Sequence, residues 1–289
     1  MGKVFFDYDA DIVDLYKDPV FKAVFTKDTP ESLGALGDLL SGLLVREVEV
    51  FAVVANEPPV ENTKDRQIRY DVNCRFASGE LVNVEMTVSP DAHEVNRLEY
   101  YEARLHASQN LKGKDVSYED VKATYQVSFV VNQSLFQDDV LIHRFRYYDE
   151  MNGISLGGCS NIITVELTKL DNTLQKATGE TTLAEDWATF VRYGADKDWR
   201  HRINEILAQR EGIAMAAQTL LSISQNEVER ARLLSEYKFL MDHQSRMVDA
   251  KREGKLEMAK NLHVMGLSDE QIAKAAELSI DKVKSYLYQ

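Results

Sequence analysis

Two neighbouring stretches, residues 68–76 and 81–89, alternate apolar and polar side chains with period two. In the first, Ile68, Tyr70, Val72, Cys74 and Phe76 point one way, and Arg69, Asp71, Asn73 and Arg75 the other. In the second, Val82, Val84, Met86 and Val88 oppose Asn83, Glu85, Thr87 and Ser89. Strict alternation predicts half-buried strands, and the link Ala77-Ser78-Gly79 suits a tight hairpin with Gly79 in the left-handed region. A three-residue loop pairs Phe76 with Glu80 and therefore Asp71 with Glu85. Side chains directly opposed on paired strands lie about 4.5–5.5 Å apart at Cβ, where like charges repel. Two such carboxylates need either water or a cation between them, which is the outline of a metal site.

The rest of the chain narrows the class. Its 289 residues suffice for one large domain or a domain with an appendage. No apolar run approaches the roughly 20 residues that span a bilayer, and the first residues lack a signal peptide's apolar core. Two cysteines, Cys74 and Cys159, are far apart, which excludes a disulfide framework and a zinc knuckle and predicts a reducing, cytoplasmic setting. A net charge of −13 weighs against a phosphate-binding surface over the whole protein. Residues 61–114 depart from that balance, with eight Lys/Arg against nine Asp/Glu. There is no Gly-rich phosphate loop and no Gly-x-Ser-x-Gly elbow.

Along the chain, Asp18 followed by Pro19 predicts a capped helix over 18–25, and Thr29-Pro30-Glu31 a second to about residue 44. A short strand is expected at 48–54, a polar loop at 55–66, and a helix over 93–112 closing at Gly113. Strands are expected at 125–132, near 141–147 and at 162–167. Beyond residue 182 the pattern turns helical: 183–193, 199–217, 228–254 and 255–266. Capped starts follow at Ser268 (with Gln271 three residues on) and at Ser279. These elements predict an α/β fold, a mixed sheet flanked by helices, over residues 1–181. Residues 182–289 are expected to be a helical C-terminal region ending in a helix-turn-helix-like tail. Leu262, Met265, Leu267, Ile272, Leu278, Val283 and Leu287 are many apolar side chains for a short hairpin to bury. They predict that the tail docks or makes a homo-oligomer.

Several motifs then occur in a characteristic order. Asp18-x-x-Phe21-Lys22-x-x-Phe25 comes first, followed by Asp71 and Val84-Glu85-Met86. Next stand Arg97-x-x-Tyr100-Tyr101-x-Ala103-x-Leu105-x-x-x-Gln109-x-x-x-Gly113 and Thr164-Val165-Glu166-Leu167-Thr168-Lys169. Asp186-Trp187-Ala188-Thr189-Phe190 and Gly266-Leu267-Ser268-x-Glu270-Gln271-Ile272 complete the set. Together these resemble the recombination-promoting nuclease / putative transposase family of bacteria, within the PD-(D/E)XK nuclease superfamily, over almost the whole chain. The resemblance implies a restriction-endonuclease-like sheet in which Asp71 and Glu85 ligate Mg²⁺ (or Mn²⁺) for cleavage of DNA in recombination or on mobile elements. Hard oxygen ligands suit such a cation. The position two after the second acid normally holds Lys or Gln; here it is Thr87, whose hydroxyl can bond a water but brings no charge. Arg97 or Gln109 from the neighbouring helix could substitute for the missing group. The alternative is a nuclease-fold protein, catalytically impaired through Thr87, that binds DNA or protein.

Candidate DNA contacts are Lys22, Arg97, Tyr101, Arg104 and Gln109. Arg97, Tyr101 and Arg104 share a helix face, where a surface salt-bridged to Glu94 and Glu99 is the plainer expectation. Gln109 reads equally as an ordinary helix residue, and Lys22 as a solvated lysine. Phe21, Phe25 and Trp187 are expected in the core, and His93, His143 and His201 at the surface.

Overall fold

The computed structural model describes residues 4–54, 69–109 and 117–288. Its strands are β1 (Val50–Val53), β2 (Val72–Phe76), β3 (Leu81–Thr87), β4 (Thr124–Val130), β5 (Ile142–Phe145), β6 (Tyr148–Asp149), β7 (Ile154–Ser155) and β8 (Ser160–Glu166). The helices are α1 (Asp18–Phe25), α2 (Pro30–Leu44), α3 (Glu94–Ala107), α4 (Asp171–Leu174), α5 (Leu183–Tyr193), α6 (Arg200–Gln209), α7 (Glu211–Gln225), α8 (Glu227–Val264), α9 (Asp269–Ala276) and α10 (Ile280–Leu287).

The alternating stretches form the expected hairpin. Val72 lies opposite Val84 and Arg75 opposite Leu81. The Phe76 N–H donates to the Glu80 carbonyl at 2.9 Å, and Gly79 turns the link at φ 91°. A side chain there would be strained, which is why the position suits glycine. Around this hairpin a six-stranded mixed sheet runs in the order β1-β2-β3-β4-β8-β5. The pairs β3–β4 and β4–β8 are parallel; the outer pairs are antiparallel. Val84, Val127 and Ile163 fall in one row of the register and Glu85, Ser128 and Thr164 in the next, so adjacent rows face opposite ways.

One face is apolar. Val84, Val127, Phe129 and Val165 are fully buried, with the Phe129 ring 6.1 Å from Phe21 of α1. Phe25 continues that core to Trp187 of α5, whose indole N–H donates to Asp38 Oδ2 at 2.8 Å. The expected core residues Phe21, Phe25 and Trp187 are all fully buried. The opposite face carries Asn83, Glu85, Thr87, Gln126, Ser128 and Thr164, and all are buried too. The expectation of half-buried strands fails here for a long-range reason: α3 covers the polar face, holding Glu102 against the Thr124 and Ser160 hydroxyls at 2.7 and 2.9 Å.

Other boundaries moved for local reasons. Asp18 is the first residue of α1, not its cap; its carboxylate meets Lys22 one turn on. Thr29 caps α2 as expected, accepting from the Ser32 N–H. The helix α3 ends at Ala107, and Gly113 and the loop 55–66 lie outside the described residues. The single helix expected over 199–217 is two, broken at Arg210, whose backbone is extended. The Arg210 side chain reaches back to Asp186 Oδ2 at 2.7 Å and the Thr181 carbonyl at 2.9 Å. Just beyond, Gly212 lies so close to Asp38 of α2 that a Cβ has no room. His143 is not a surface histidine: its ring stands between Asp138 and Glu166, 3.0 Å from Asp138 Oδ2.

The chain divides into two compact units, residues 1–233 and 234–289, so the expected boundary at 181/182 falls inside the first. Gly254 does not interrupt α8, which runs unbroken for 38 residues. In the second unit, Ser268 caps α9 with a reciprocal capping box to Gln271, and Ser279 caps α10. Ile272, Ala273, Ala276 and Val283 form a core with Ala259, against which Leu262, Leu267, Leu278 and Leu287 pack. Most of the apolar residues that suggested self-association therefore bury one another, and Met265 stays exposed.

Candidate metal and nuclease site

The site begins with the hairpin register. Asp71 lies one residue before β2, and extending the Val72–Val84 pairing puts it opposite Glu85. Two hydrogen bonds lock the pair: the Asp71 N–H donates to Glu85 Oε1 at 3.1 Å, and the Met86 N–H donates to Asp71 Oδ2 at 2.9 Å. Asn83 adds a bond from Nδ2 to Glu85 Oε1 at 2.9 Å. The second oxygens meet side-chain cations instead. Lys22 Nζ is 2.8 Å from Asp71 Oδ1, and Arg97 Nη1 is 3.8 Å from Glu85 Oε2.

Electrostatics follow from that packing. Burial first, and the Asp71 charge second, raise the Glu85 carboxyl well above the usual carboxylate range; Arg97 and Asn83 oppose the shift only in part. For Lys22, burial works against the charge, but Asp71 and Asp18 outweigh it and hold the ammonium firmly protonated.

Thr87 sits where α3 meets the sheet. Its hydroxyl accepts from Arg97 Nη2 at 2.9 Å and stands 3.1 Å from both Glu94 Oε1 and Ser128 Oγ. Glu94 grips the guanidinium from the other side: Nε is 3.1 Å from each carboxylate oxygen and Nη2 is 2.6 Å from Oε1. Arg97 also lies over the Tyr101 ring at 5.2 Å. The guanidinium is thus fixed between Thr87, Glu85 and Glu94.

The other candidates scatter. Tyr101 packs edge-on to Tyr70, with Leu81 and Leu105 beside them. Arg104 is half-buried, its charge felt by the Tyr70 hydroxyl. Gln109 is away from the carboxylates. Its amide donates to the Lys122 carbonyl at 2.9 Å and accepts from the Lys122 N–H at 2.8 Å, tying the end of α3 to the chain entering β4. Ser128 joins the cluster without having been singled out by sequence. The salt bridge expected between the Arg97 face and Glu94 is present, but Glu94 is buried beside Thr87 instead of lying at the surface. Among the described residues, no three His, Cys, Asp or Glu side chains converge as a metal cage.

A six-stranded mixed sheet flanked by helices is the arrangement of a PD-(D/E)XK nuclease-like fold. Residues 15–250 match the family described as PD-(D/E)XK nuclease family transposase, and the chain belongs to that family. Membership makes it, at the coarse level, a hydrolytic nuclease associated with mobile elements. No curated protein and no solved structure matches the chain. No helix among the described residues is long and apolar enough to cross a membrane.

Proposed function

We propose that this protein is a divalent-metal-dependent DNA endonuclease acting in recombination or on mobile DNA, with Asp71 and Glu85 as metal ligands. The observation that carries the reading is the division of labour within the carboxylate pair. Each acid gives one oxygen to backbone N–H groups and turns the other toward a cation, Lys22 or Arg97. That donor set fits Mg²⁺ or Mn²⁺: it is all oxygen, and a small hard dication takes one or two carboxylates and completes its shell with water and substrate phosphate. Bound there, such an ion supplies Lewis-acid polarisation of the phosphodiester and a more acidic water.

The chain's own residues do the rest. The backbone N–H of Met86 and of Asp71 aim the two carboxylates before any ligand arrives. Lys22 has a second partner in Asp18 at 3.0 Å, so it can leave Asp71 without becoming an unpaired charge. Arg97 brings the positive charge that Thr87 lacks to within reach of Glu85, and the Thr87 hydroxyl is a neutral relay beside it. Glu94 holds that guanidinium in place. In this reading Thr87 is a positioning residue, and its presence is compatible with catalysis because Arg97 covers the same corner. Tyr101 and Arg104, half-buried on the same helix, are secondary candidates for DNA contact.

Plasmid nicking with Mg²⁺ or Mn²⁺ tests the reading on wild type, Asp71→Ala, Glu85→Ala, Arg97→Met and Thr87→Gln. Activity in wild type, loss in both alanine variants and a fall of about 100-fold in Arg97→Met support it. Equal background in all five proteins would reject it in favour of a binding module. Activity confined to Thr87→Gln would locate the defect at that corner.

A further inference from the structure

The polar layer beneath α3 extends past the nuclease site to a cavity of about 610 Å³ between α3, β8 and β5, a volume ordinary for a small-ligand pocket. Its walls are apolar and aromatic: Leu98 of α3, Phe136, Phe145 and Tyr147. The Phe136 and Phe145 rings adjoin, their centroids 5.3 Å apart. Two buried polar groups line this space, one a carboxylate without a cation and one an unpartnered hydroxyl. Glu102 is only 3% exposed, yet its carboxylate is held by two neutral hydroxyls, Thr124 and Ser160, and pairs with no Lys or Arg among the described residues. Thr164 is fully buried, and its hydroxyl has no hydrogen-bond partner among the described residues. Arg146 also borders the cavity, with its Nε given to Asn161 Oδ1 at 2.9 Å.

A buried carboxylate without a cation is costly, and an orphaned hydroxyl adds to the cost. Both are relieved by one kind of guest, a cation that also donates hydrogen bonds. Aromatic walls favour such a guest, because ring faces attract ammonium and guanidinium groups. Glu99 at the exposed outer side of the same helix adds a second negative charge to the lining. We infer that this cavity binds an organic cation, an alkylammonium or guanidinium group on a slender apolar stem. The ionic head pairs with Glu102 and the Thr164 hydroxyl, and the stem lies against Phe136, Phe145 and Tyr147. With two acids against Arg146 in the lining, a phosphate or carboxylate ligand is disfavoured. The inference does not depend on the nuclease reading.

Isothermal titration calorimetry on the full chain tests it with agmatine, putrescine and N-acetyl-arginine-N-methylamide at physiological salt. One saturable site is expected, weakened at least about tenfold in Glu102→Gln, which removes the buried charge. Phe145→Ala changes no charge and lies at the sheet edge, and it should weaken binding several-fold. Thr164→Val should do so to a smaller extent. Tighter binding of the free amines points to a diffusible diamine, and tighter binding of the capped arginine points to a peptide side chain. Absence of binding at about millimolar ligand, or several equivalent sites unchanged in Glu102→Gln and Phe145→Ala, would overturn the inference, the latter marking mere attraction to an acidic surface. Should Glu102→Gln fail to fold, an unchanged affinity in Phe145→Ala alone is enough to overturn it.

Discussion

On one face of the central strands, Val84, Val127, Phe129 and Val165 are fully buried among side chains that ask nothing of their neighbours but contact. On the other, Asn83, Glu85, Gln126, Ser128 and Thr164 are buried almost as deeply, and several ask for more than they receive. Among the described residues, Asn83 Oδ1, Gln126 Nε2 and Thr164 Oγ1 have no hydrogen-bond partner, Glu102 has no Lys or Arg partner, and Glu85 meets its cation, Arg97, only at 3.8 Å. Equal burial therefore stabilises unequally. The apolar face lowers the free energy of the fold, whereas the α3 face holds polar groups at a cost.

The contrast can be broken by mutation, and the largest effect belongs to the apolar face. Phe129→Ala should lower stability by about 3–5 kcal/mol in urea denaturation, since the ring is enclosed on all sides. A loss below that of an exposed residue would mean the apolar face does not carry the fold. Glu85→Gln should act with the opposite sign, raising metal-free stability near neutral pH by about 1–3 kcal/mol while abolishing nicking. The sign comes from linkage. The folded protein keeps the Glu85 proton to higher pH than the unfolded chain, so this stabilisation is complete below the ordinary carboxylate pKa and is lost as pH climbs through the raised value. The glutamine variant suffers no such loss, and the gap between the two melting curves should widen from about pH 4 to pH 9. Parallel curves would remove Glu85 from the strained class. The smallest effect is expected at Gln109→Ala, about 1 kcal/mol from the lost tie to Lys122, with nicking unchanged. A collapse of activity there would return Gln109 to the site.

Where sequence and structure agree, the signal was local. The hairpin follows from period-two alternation and one glycine, and the helix starts at Thr29, Ser268 and Ser279 follow from side chains that cap their own backbone. The pairing of Asp71 with Glu85 belongs to the same class, since loop length alone sets their register. Where the two differ, the cause lies far along the chain. Asn83, Glu85 and Thr87 look like a wetted strand face until α3 folds over them. Glu94 looks like a surface acid until Thr87 and Arg97 converge on it. The break between α6 and α7 has no proline to announce it; it follows from Arg210 turning back to Asp186 and from Gly212 abutting Asp38. Gln109 matched a motif position, but its partners are the backbone atoms of a residue that no motif includes.

The parallel centre of the sheet also sets an order in time. The hairpin that bears Asp71 and Glu85 closes across three residues, a microsecond event, while β4 must find β3 and β8 across long intervening segments. Until then the two acids face each other with neither Lys22 nor Arg97 in place, and their repulsion resists closure. Neutralising one of them, as in Asp71→Asn, should speed refolding in stopped-flow experiments, so the acid pair that the proposed chemistry needs is also a brake on the hairpin's closure.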